Sequence, residues 1–361
     1  MISDQKNKRS VYIIAEAGVN HNGSLEMAKQ LIDVAAAAGA DAVKFQTFKA
    51  ENVVSRAAPK ADYQKATTDA TESQLEMIRR LELDRSSHEA LFAYCRGRNL
   101  EFMSTPFDGE SVDLLVKLGV ARLKVSSGEI TNAPLLLKMA RTGLPIIIST
   151  GMASLGEVEA ALGVLAFGYL DYREPPSLAE FHRAWREGQG ALQEKVTLLH
   201  CTSEYPAPLE EVNLRAMETL AIAFGLPVGY SDHTPGIGVA IAAAARGARI
   251  IEKHFTLDKS LPGPDHRASL EPEELNAMIR TIREVEAALG SHLKFPATSE
   301  LKNREIVRRS LVAARRIRKG ERFSEDNLTS KRPGNGISPL SYWDWIGKIA
   351  QRDFQPDEII Q

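Results

Sequence analysis

Eight short runs rich in Val, Ile and Leu recur along the first 290 residues of this 361-residue chain, and a segment of helical periodicity follows each one. The runs fall at 11–19, 41–47, 101–105, 122–127, 145–150, 196–202, 227–232 and 250–256. Near-continuous apolar runs of this length suit strands buried on both faces, which pair in parallel beneath covering helices. Eight such units predict a (β/α)8 barrel. A doubly wound open sheet is the alternative, but the chain lacks a Gly-rich dinucleotide fingerprint. Two connections exceed a minimal loop, 48–85 and 167–192. Long loops on the βα side of a barrel commonly build the substrate site. No role is assigned to 167–192.

The pattern changes after Gly290. Residues 291–304 lack periodicity and read as a linker between a barrel domain over 1–290 and a small, mostly β domain over 305–361. Short strands are expected in that tail at 311–313 and 348–350, with turns at Lys319-Gly320 and Pro333-Gly334-Asn335-Gly336. A tail of roughly 55 residues builds only a marginal core, so it is expected to lean on another surface and to favour a symmetric dimer. A net charge of −2 gives no global field toward nucleic acid or an anionic membrane. No apolar run approaches the roughly 20 residues of a membrane span. The N-terminal MISDQKNKRS has no signal-peptide core, and the two cysteines, Cys95 and Cys201, suit a reducing compartment. The expected location is the cytoplasm.

Barrel chemistry sits at the carboxyl ends of the strands. Glu16 ends the first run, Lys44 and Gln46 the second, Thr105 the third, and Lys124 and Ser127 the fourth. Ser149 and Thr150 end the fifth, His200 and Ser203 the sixth, Ser231 and His233 the seventh, and Glu252 and His254 the eighth. Side chains two apart share a face, so Lys44 with Gln46, Ser231 with His233, and Glu252 with His254 could point together into the barrel mouth. Two lysines among hydroxyls suit a phosphate or carboxylate, and two imidazoles suit a divalent metal with open positions. A lone strand-end Lys is commonly a surface residue and a lone His a hydrogen-bonded core residue. Cys201 reads as a small buried hydrophobe, and His21 as closing a tight turn. It is their recurrence on nearly every strand end that argues for a site.

At these residues the chain resembles the bacterial N-acetylneuraminate (sialic acid) synthase family. The matching segments include GVNHNG (18–23), AVKFQTFKA (42–50), STPFD (104–108), KVSSGE (124–129) and IISTGM (147–152). They continue with HCTSEYPAP (200–208), GYSDHTPGIGV (229–239), IEKHFTLDKSLPGPDH (251–266) and KRPGNGISP (331–339). The resemblance implies a TIM barrel followed by an antifreeze-like (SAF) domain that covers the partner's barrel in a domain-swapped homodimer. The implied reaction condenses phosphoenolpyruvate with an N-acetylated hexose, giving a nine-carbon 2-keto sugar acid and phosphate. It puts a divalent metal, Mn2+ before Mg2+ or Co2+, on His233 and His254. It puts phosphoenolpyruvate against Lys44, Gln46, Thr105, Lys124, Ser127, Ser149 and Ser231. Ser203 stands near the phosphate where relatives often carry Asn or Thr. The acceptor sugar is expected against Glu16, Tyr205, Asp265 and, from the partner's tail, Arg332. Glu16, Lys44, Lys124 and Asp265 are the implied catalytic set.

The leading expectation is therefore an N-acetylneuraminate synthase using N-acetylmannosamine. The alternative is a legionaminate or pseudaminate synthase using a 2,4-diacetamido-2,4,6-trideoxy hexose. Phosphorylated acceptors need a second basic pocket that the rim does not display. A non-enzymatic carbohydrate- or ice-binding role sits poorly with the charged tail residues Arg315, Arg316, Arg318 and Lys319.

Overall fold

The computed structural model describes residues 10–61, 64, 65, 68 and 72–361. Most of the N-terminal decapeptide and part of the 48–85 connection lie outside those residues. The chain divides into two units, residues 1–290 and 291–361.

The first unit contains eight parallel strands: β1 (Tyr12–Gly18), β2 (Ala42–Thr47), β3 (Glu101–Pro106), β4 (Leu123–Val125), β5 (Ile146–Ser149), β6 (Val196–His200), β7 (Val228–Asp232) and β8 (Ile250–His254). Their order is β3-β2-β1-β8-β7-β6-β5-β4, and β3 lies against β4, which brings the sheet round into a barrel. The β3–β4 seam is not part of the ladder. At the amino ends of those two strands Arg122 makes two hydrogen bonds to Glu101, at 2.8 and 3.2 Å, and Tyr12 donates to the same carboxylate at 2.6 Å. These bonds tie the seam together.

The connecting helices begin where the sequence supplies caps. Ser24, Asp84, Asp108, Asn132 and Ser154 each accept a backbone N–H from the first turn of the helix that follows. The outer strand faces and inner helix faces form one large apolar core that includes Ile13, Phe45, Leu123, Ile148 and Ile251. A second, smaller cluster fills the barrel interior: Ile14, Ala42, Met103, Ile147, Leu199 and Ile250. Gly229 faces this plug, where a Cβ would stand 2.7 Å from Leu199 Cδ2 and 2.5 Å from the Ile250 carbonyl oxygen. Residues two further along each strand stand above the plug, and there the polar rim begins.

Part of the 48–85 connection forms helices at Ala50–Val53 and Gln74–Arg80, the latter opened by a Ser73–Glu76 capping box. The 167–192 segment forms the helix Leu178–Glu187, which packs on the helix Leu155–Tyr169 outside the barrel. Beyond Gly290, the stretch expected as a linker carries a helix at Thr298–Val307 with no buried residue. With no apolar stripe to bury, that helix left no periodicity to read. The second unit pairs β9 (Ser310–Ala313) antiparallel with β10 (Leu328–Lys331) and packs its own core around Leu311, Ile317, Phe323, Leu328 and Phe354. The strand expected at 348–350 appears only as an isolated bridge between Arg322 and Ile349. β10 was not anticipated, because only its first residue is buried. No helix among the described residues is long and apolar enough to cross a membrane.

Candidate active site

The carboxyl ends of the strands surround a cavity of about 360 Å3, within the range of about 300–1,000 Å3 usual for small-molecule sites. Strand register explains who meets whom. Glu16 on β1 stands beside Lys44 on β2 and His254 on β8, Gln46 beside Thr105, and Ser231 beside Glu252. β1 finishes in Gly18 at φ +51°, where a Cβ would crowd Glu16 Oε1 at 3.2 Å and the His254 ring at 3.3 Å.

Four buried charges occupy the floor. Lys44 Nζ lies 2.6 Å from Glu16 Oε2, 3.5 Å from Glu252 Oε2 and 3.1 Å from Thr105 Oγ1. Lys124 Nζ lies 3.6 Å from Glu252 Oε1 and donates to Ser149 Oγ at 2.6 Å and the Val125 carbonyl at 3.0 Å. Ser231 donates to Glu252 Oε1 at 2.8 Å. Two carboxylates flank one ammonium, so they do not share its charge equally. Burial works to raise Glu252, but Lys124 and Lys44 outweigh it and hold the carboxyl at about 2. Glu16 goes the other way: burial, with the Glu252 charge adding to it and Lys44 opposing, lifts it to about 7. Burial favours the neutral form of Lys44, but Glu16 and Glu252 together raise its pKa. Burial lowers Lys124, with Glu252 opposing. The floor thus holds one fixed carboxylate, two lysines and one carboxyl able to exchange a proton near neutrality.

Hydroxyls form one side of the cavity. Ser126, Ser127 and Gly128 follow β4, Ser149 ends β5, and Ser203 follows β6. Gly151 brings its backbone N–H to 3.0 Å from Ser127 Oγ, and a Cβ there would meet Ser203 Oγ at 2.3 Å and Cys201 Sγ at 2.9 Å. Cys201 is buried, and burial pushes its thiol up, away from a nucleophile's range.

His233 and His254 stand at the rim with ring centroids 5.7 Å apart, and Tyr205 lies 4.2 Å from His233. Burial keeps both imidazoles neutral, His254 well below its ordinary pKa. The Thr202 carbonyl accepts from His233 Nδ1 at 2.6 Å, which leaves Nε2 as the lone-pair nitrogen. Nδ1 of His254 is buried without a hydrogen-bond partner, 3.9 Å from Asp265, whose carboxyl burial raises to about 6. Two neutral imidazoles of this kind fit a divalent cation. Among the described residues no group of three or more His, Cys, Asp or Glu is arranged to hold a metal, so such an ion would keep most positions for substrate and water.

Glu16, Lys44, Gln46, Thr105, Lys124, Ser127, Ser149, Ser203, Tyr205, Ser231, His233, His254 and Asp265 all line this one cavity. Arg332 belongs to the second unit, exposed directly after β10. Two strand-end residues do not join the site. His200 turns outward and donates from Nε2 to the Val212 carbonyl at 2.8 Å, and the Thr150 hydroxyl donates to the Leu199 carbonyl. Strand parity explains both, because Leu199 and Ser149 face inward and their neighbours face out. His21 closes its turn by accepting the Gly23 N–H at 3.0 Å.

Glu252 was paired with His254 by spacing, but its place between both lysines was not anticipated. Nor was an apolar wall made by Val19, Phe48, Val53, Met77, Ile78, Leu81 and Phe107. Much of that wall comes from the 48–85 connection, and Val19, Phe48 and Leu81 pack as a separate cluster.

The model of the NeuB family matches residues 31–294, and that of the SAF domain matches residues 308–361. The chain belongs to the NeuB family. It is 53% identical to N,N'-diacetyllegionaminic acid synthase of Campylobacter jejuni over 98% of this chain and 99% of that one. It is 47% identical to the enzyme of the same name from Legionella pneumophila, over 96% and 92%. Among solved structures, an N-acetylneuraminic acid synthetase of Leptospira borgpetersenii superposes with a TM-score of 0.66 at 33% identity, over 81% of this chain and 90% of that one. The chain is thus an enzyme of the sialic acid synthase type, built as a TIM barrel followed by a SAF domain.

Proposed function

We propose that this NeuB-family enzyme condenses phosphoenolpyruvate with 2,4-diacetamido-2,4,6-trideoxymannose and water, releasing N,N'-diacetyllegionaminate and phosphate. The apolar wall carries the choice of acceptor. Such a sugar presents two acetamido methyls and a methyl at C6, where N-acetylmannosamine presents one acetamido methyl and a hydroxymethyl. Phe48, Val53, Ile78 and Phe107 would meet those methyls at a gain of about 0.8 kcal/mol per buried carbon. The names of the two relatives at 53% and 47% identity support the same acceptor. Among the described residues lining the cavity, Lys44 and Lys124 are the only Lys or Arg side chains. One phosphate and one carboxylate would occupy both, which argues against a phosphorylated acceptor.

The residues divide the work by charge. Lys44 and Lys124 offset the nearly three negative charges of phosphoenolpyruvate, while Gln46, Thr105, Ser127, Ser149, Ser203 and Ser231 take its remaining oxygens. His233 and His254 would hold a divalent cation, Mn2+ by preference, which when bound acts as a Lewis acid on the open-chain sugar's aldehyde oxygen. C3 of phosphoenolpyruvate forms the new bond to the aldehyde carbon, and C2 becomes an oxocarbenium. Water adds at C2, and the tetrahedral intermediate expels phosphate by C–O cleavage. Glu16, titrating at about 7, can give a proton to the former aldehyde oxygen and then accept one from the attacking water. Tyr205 and Asp265 would orient the sugar at the rim.

The test offers both acceptors in parallel with phosphoenolpyruvate and Mn2+, following phosphate release and product mass. A preference for the diacetamido sugar is expected. Turnover with N-acetylmannosamine alone would return the assignment to neuraminate.

A further inference from the structure

On the face turned away from the cavity, β7 and β8 carry a second pair of charges. Asp232 and Lys253 stand opposite one another in register, and Lys253 Nζ lies 2.9 Å from Asp232 Oδ2. Both side chains are 0% exposed. Each precedes one of the two rim histidines, Asp232 before His233 and Lys253 before His254. The contacts also reach past His233: Lys253 donates to the Thr234 carbonyl at 2.5 Å, and Asp232 Oδ1 accepts from Thr234 N at 2.9 Å and Oγ1 at 2.8 Å. The residues on both sides of His233 are therefore fastened to the strand that bears His254.

A fully buried ion pair is a poor source of stability, since apolar residues of similar volume commonly serve as well or better. What it supplies is position. A Lys253 ammonium has three donors, and two are spent on groups that bracket His233. The His233 backbone is held from the other side by Ala207 N donating to its carbonyl at 2.9 Å, and its ring by the Thr202 carbonyl. The ladder between these strands stops at Asp232 and Lys253, so beyond the Ser231–Glu252 hydrogen bond on the cavity face it is this pair that fastens the end of β7 to the end of β8.

We propose that the Asp232–Lys253 pair is a positioning device for the divalent-cation site, setting the separation and aim of His233 and His254. The proposal rests on the reading of those histidines as metal ligands. It does not make either charged residue a ligand or a catalytic group.

The experiment titrates the metal-stripped full-length chain with Mn2+ and follows free Mn2+ by electron paramagnetic resonance, beside a thermal melt of each variant. The double variant Asp232→Leu/Lys253→Met removes both charges and is expected to stay folded. Its Mn2+ affinity should fall about 10- to 100-fold, the usual loss when groups that orient metal ligands are removed. Its turnover should recover in part at raised Mn2+, with the KM for phosphoenolpyruvate little changed. A folded double variant with wild-type Mn2+ affinity would overturn the proposal, whatever its melting temperature. Should the double variant not fold, Asp232→Asn keeps the shape and the Oδ1 acceptor but loses the anion. It is then expected to weaken Mn2+ binding in the same direction, and wild-type affinity in that variant would overturn the proposal equally. His254→Ala separates the two levels of the argument. If it binds Mn2+ like the wild type, the metal reading fails and takes the proposal with it; if it alone loses Mn2+, only the positioning role fails.

Discussion

Replacing Glu252 with Gln keeps the side chain's shape and removes one charge from the centre of the floor. The two lysines lie 3.5 and 3.6 Å from its oxygens, and at an effective dielectric of about 20 each attraction is worth roughly 5 kcal/mol. Desolvation of the three ions offsets most of that gain, but removing one partner leaves its cost standing and typically destabilises by about 3–5 kcal/mol. Two features place this case at the lower end. Lys44 keeps Glu16 at 2.6 Å, and Glu16, freed from the Glu252 charge, ionises more readily. Lys124 keeps Ser149 and the Val125 carbonyl. A loss of about 3 kcal/mol corresponds to a fall in the barrel's melting temperature of roughly 5 °C, taking about 2.1 cal/mol/K of unfolding entropy per residue. Phosphoenolpyruvate supplies the missing negative charge, so saturating ligand should raise the melting temperature of Glu252→Gln by more than it raises that of the wild type. Calorimetric or fluorescence melts with and without ligand decide the matter. A variant that melts like the wild type, or gains no more from ligand, would refute the charge balance derived for the floor.

Three further outcomes are expected. Burial raises Glu16 from its ordinary 4.5 to about 7, so the folded state keeps a proton that the unfolded state has lost. Its contribution is full below about 4.5, declines as pH rises toward about 7 and is gone above it; Glu16→Gln should flatten that decline in denaturant titrations at stepped pH. A decline of undiminished size in the variant would assign it to other groups. Ile78→Ser places a hydroxyl on the apolar wall, and it should reduce the preference in kcat/KM for the diacetamido sugar over N-acetylmannosamine by about tenfold, the usual worth of a small apolar contact. An unchanged ratio would remove Ile78 from the acceptor's surroundings. Arg122→Ala loosens the β3–β4 seam at the end of the barrel remote from the cavity. It should cost about 1 kcal/mol of stability for a partly exposed pair while leaving kcat/KM intact, so a large loss of activity at full folding would contradict the separation of seam from site.

The barrel was legible because its strands are local events. Each is a short apolar run, several are followed by a capping residue such as Ser24 or Asp108, and eight of them in series leave few ways to pair. The rim was legible for a similar reason. A period of two puts Lys44 with Gln46 and Ser231 with His233 whatever the neighbours do, and parity counted from Leu199 would also have turned His200 outward.

Tertiary structure alone decided how unequal the two glutamates are. Glu16 and Glu252 are the same residue type at equivalent strand ends, yet one rises to about 7 and the other falls to about 2. Their pKa values depend on distances to Lys44 and Lys124, which register and closure set across strands far apart in sequence. The apolar wall was hidden likewise, since Phe48, Met77 and Ile78 come from a connection without strand or long-helix periodicity and become a surface only when folded over the rim. The sequence determines which side chains stand at each strand end, through local backbone geometry. The fold decides which of them share charge, because Coulombic energy and desolvation follow distance in space rather than position along the chain.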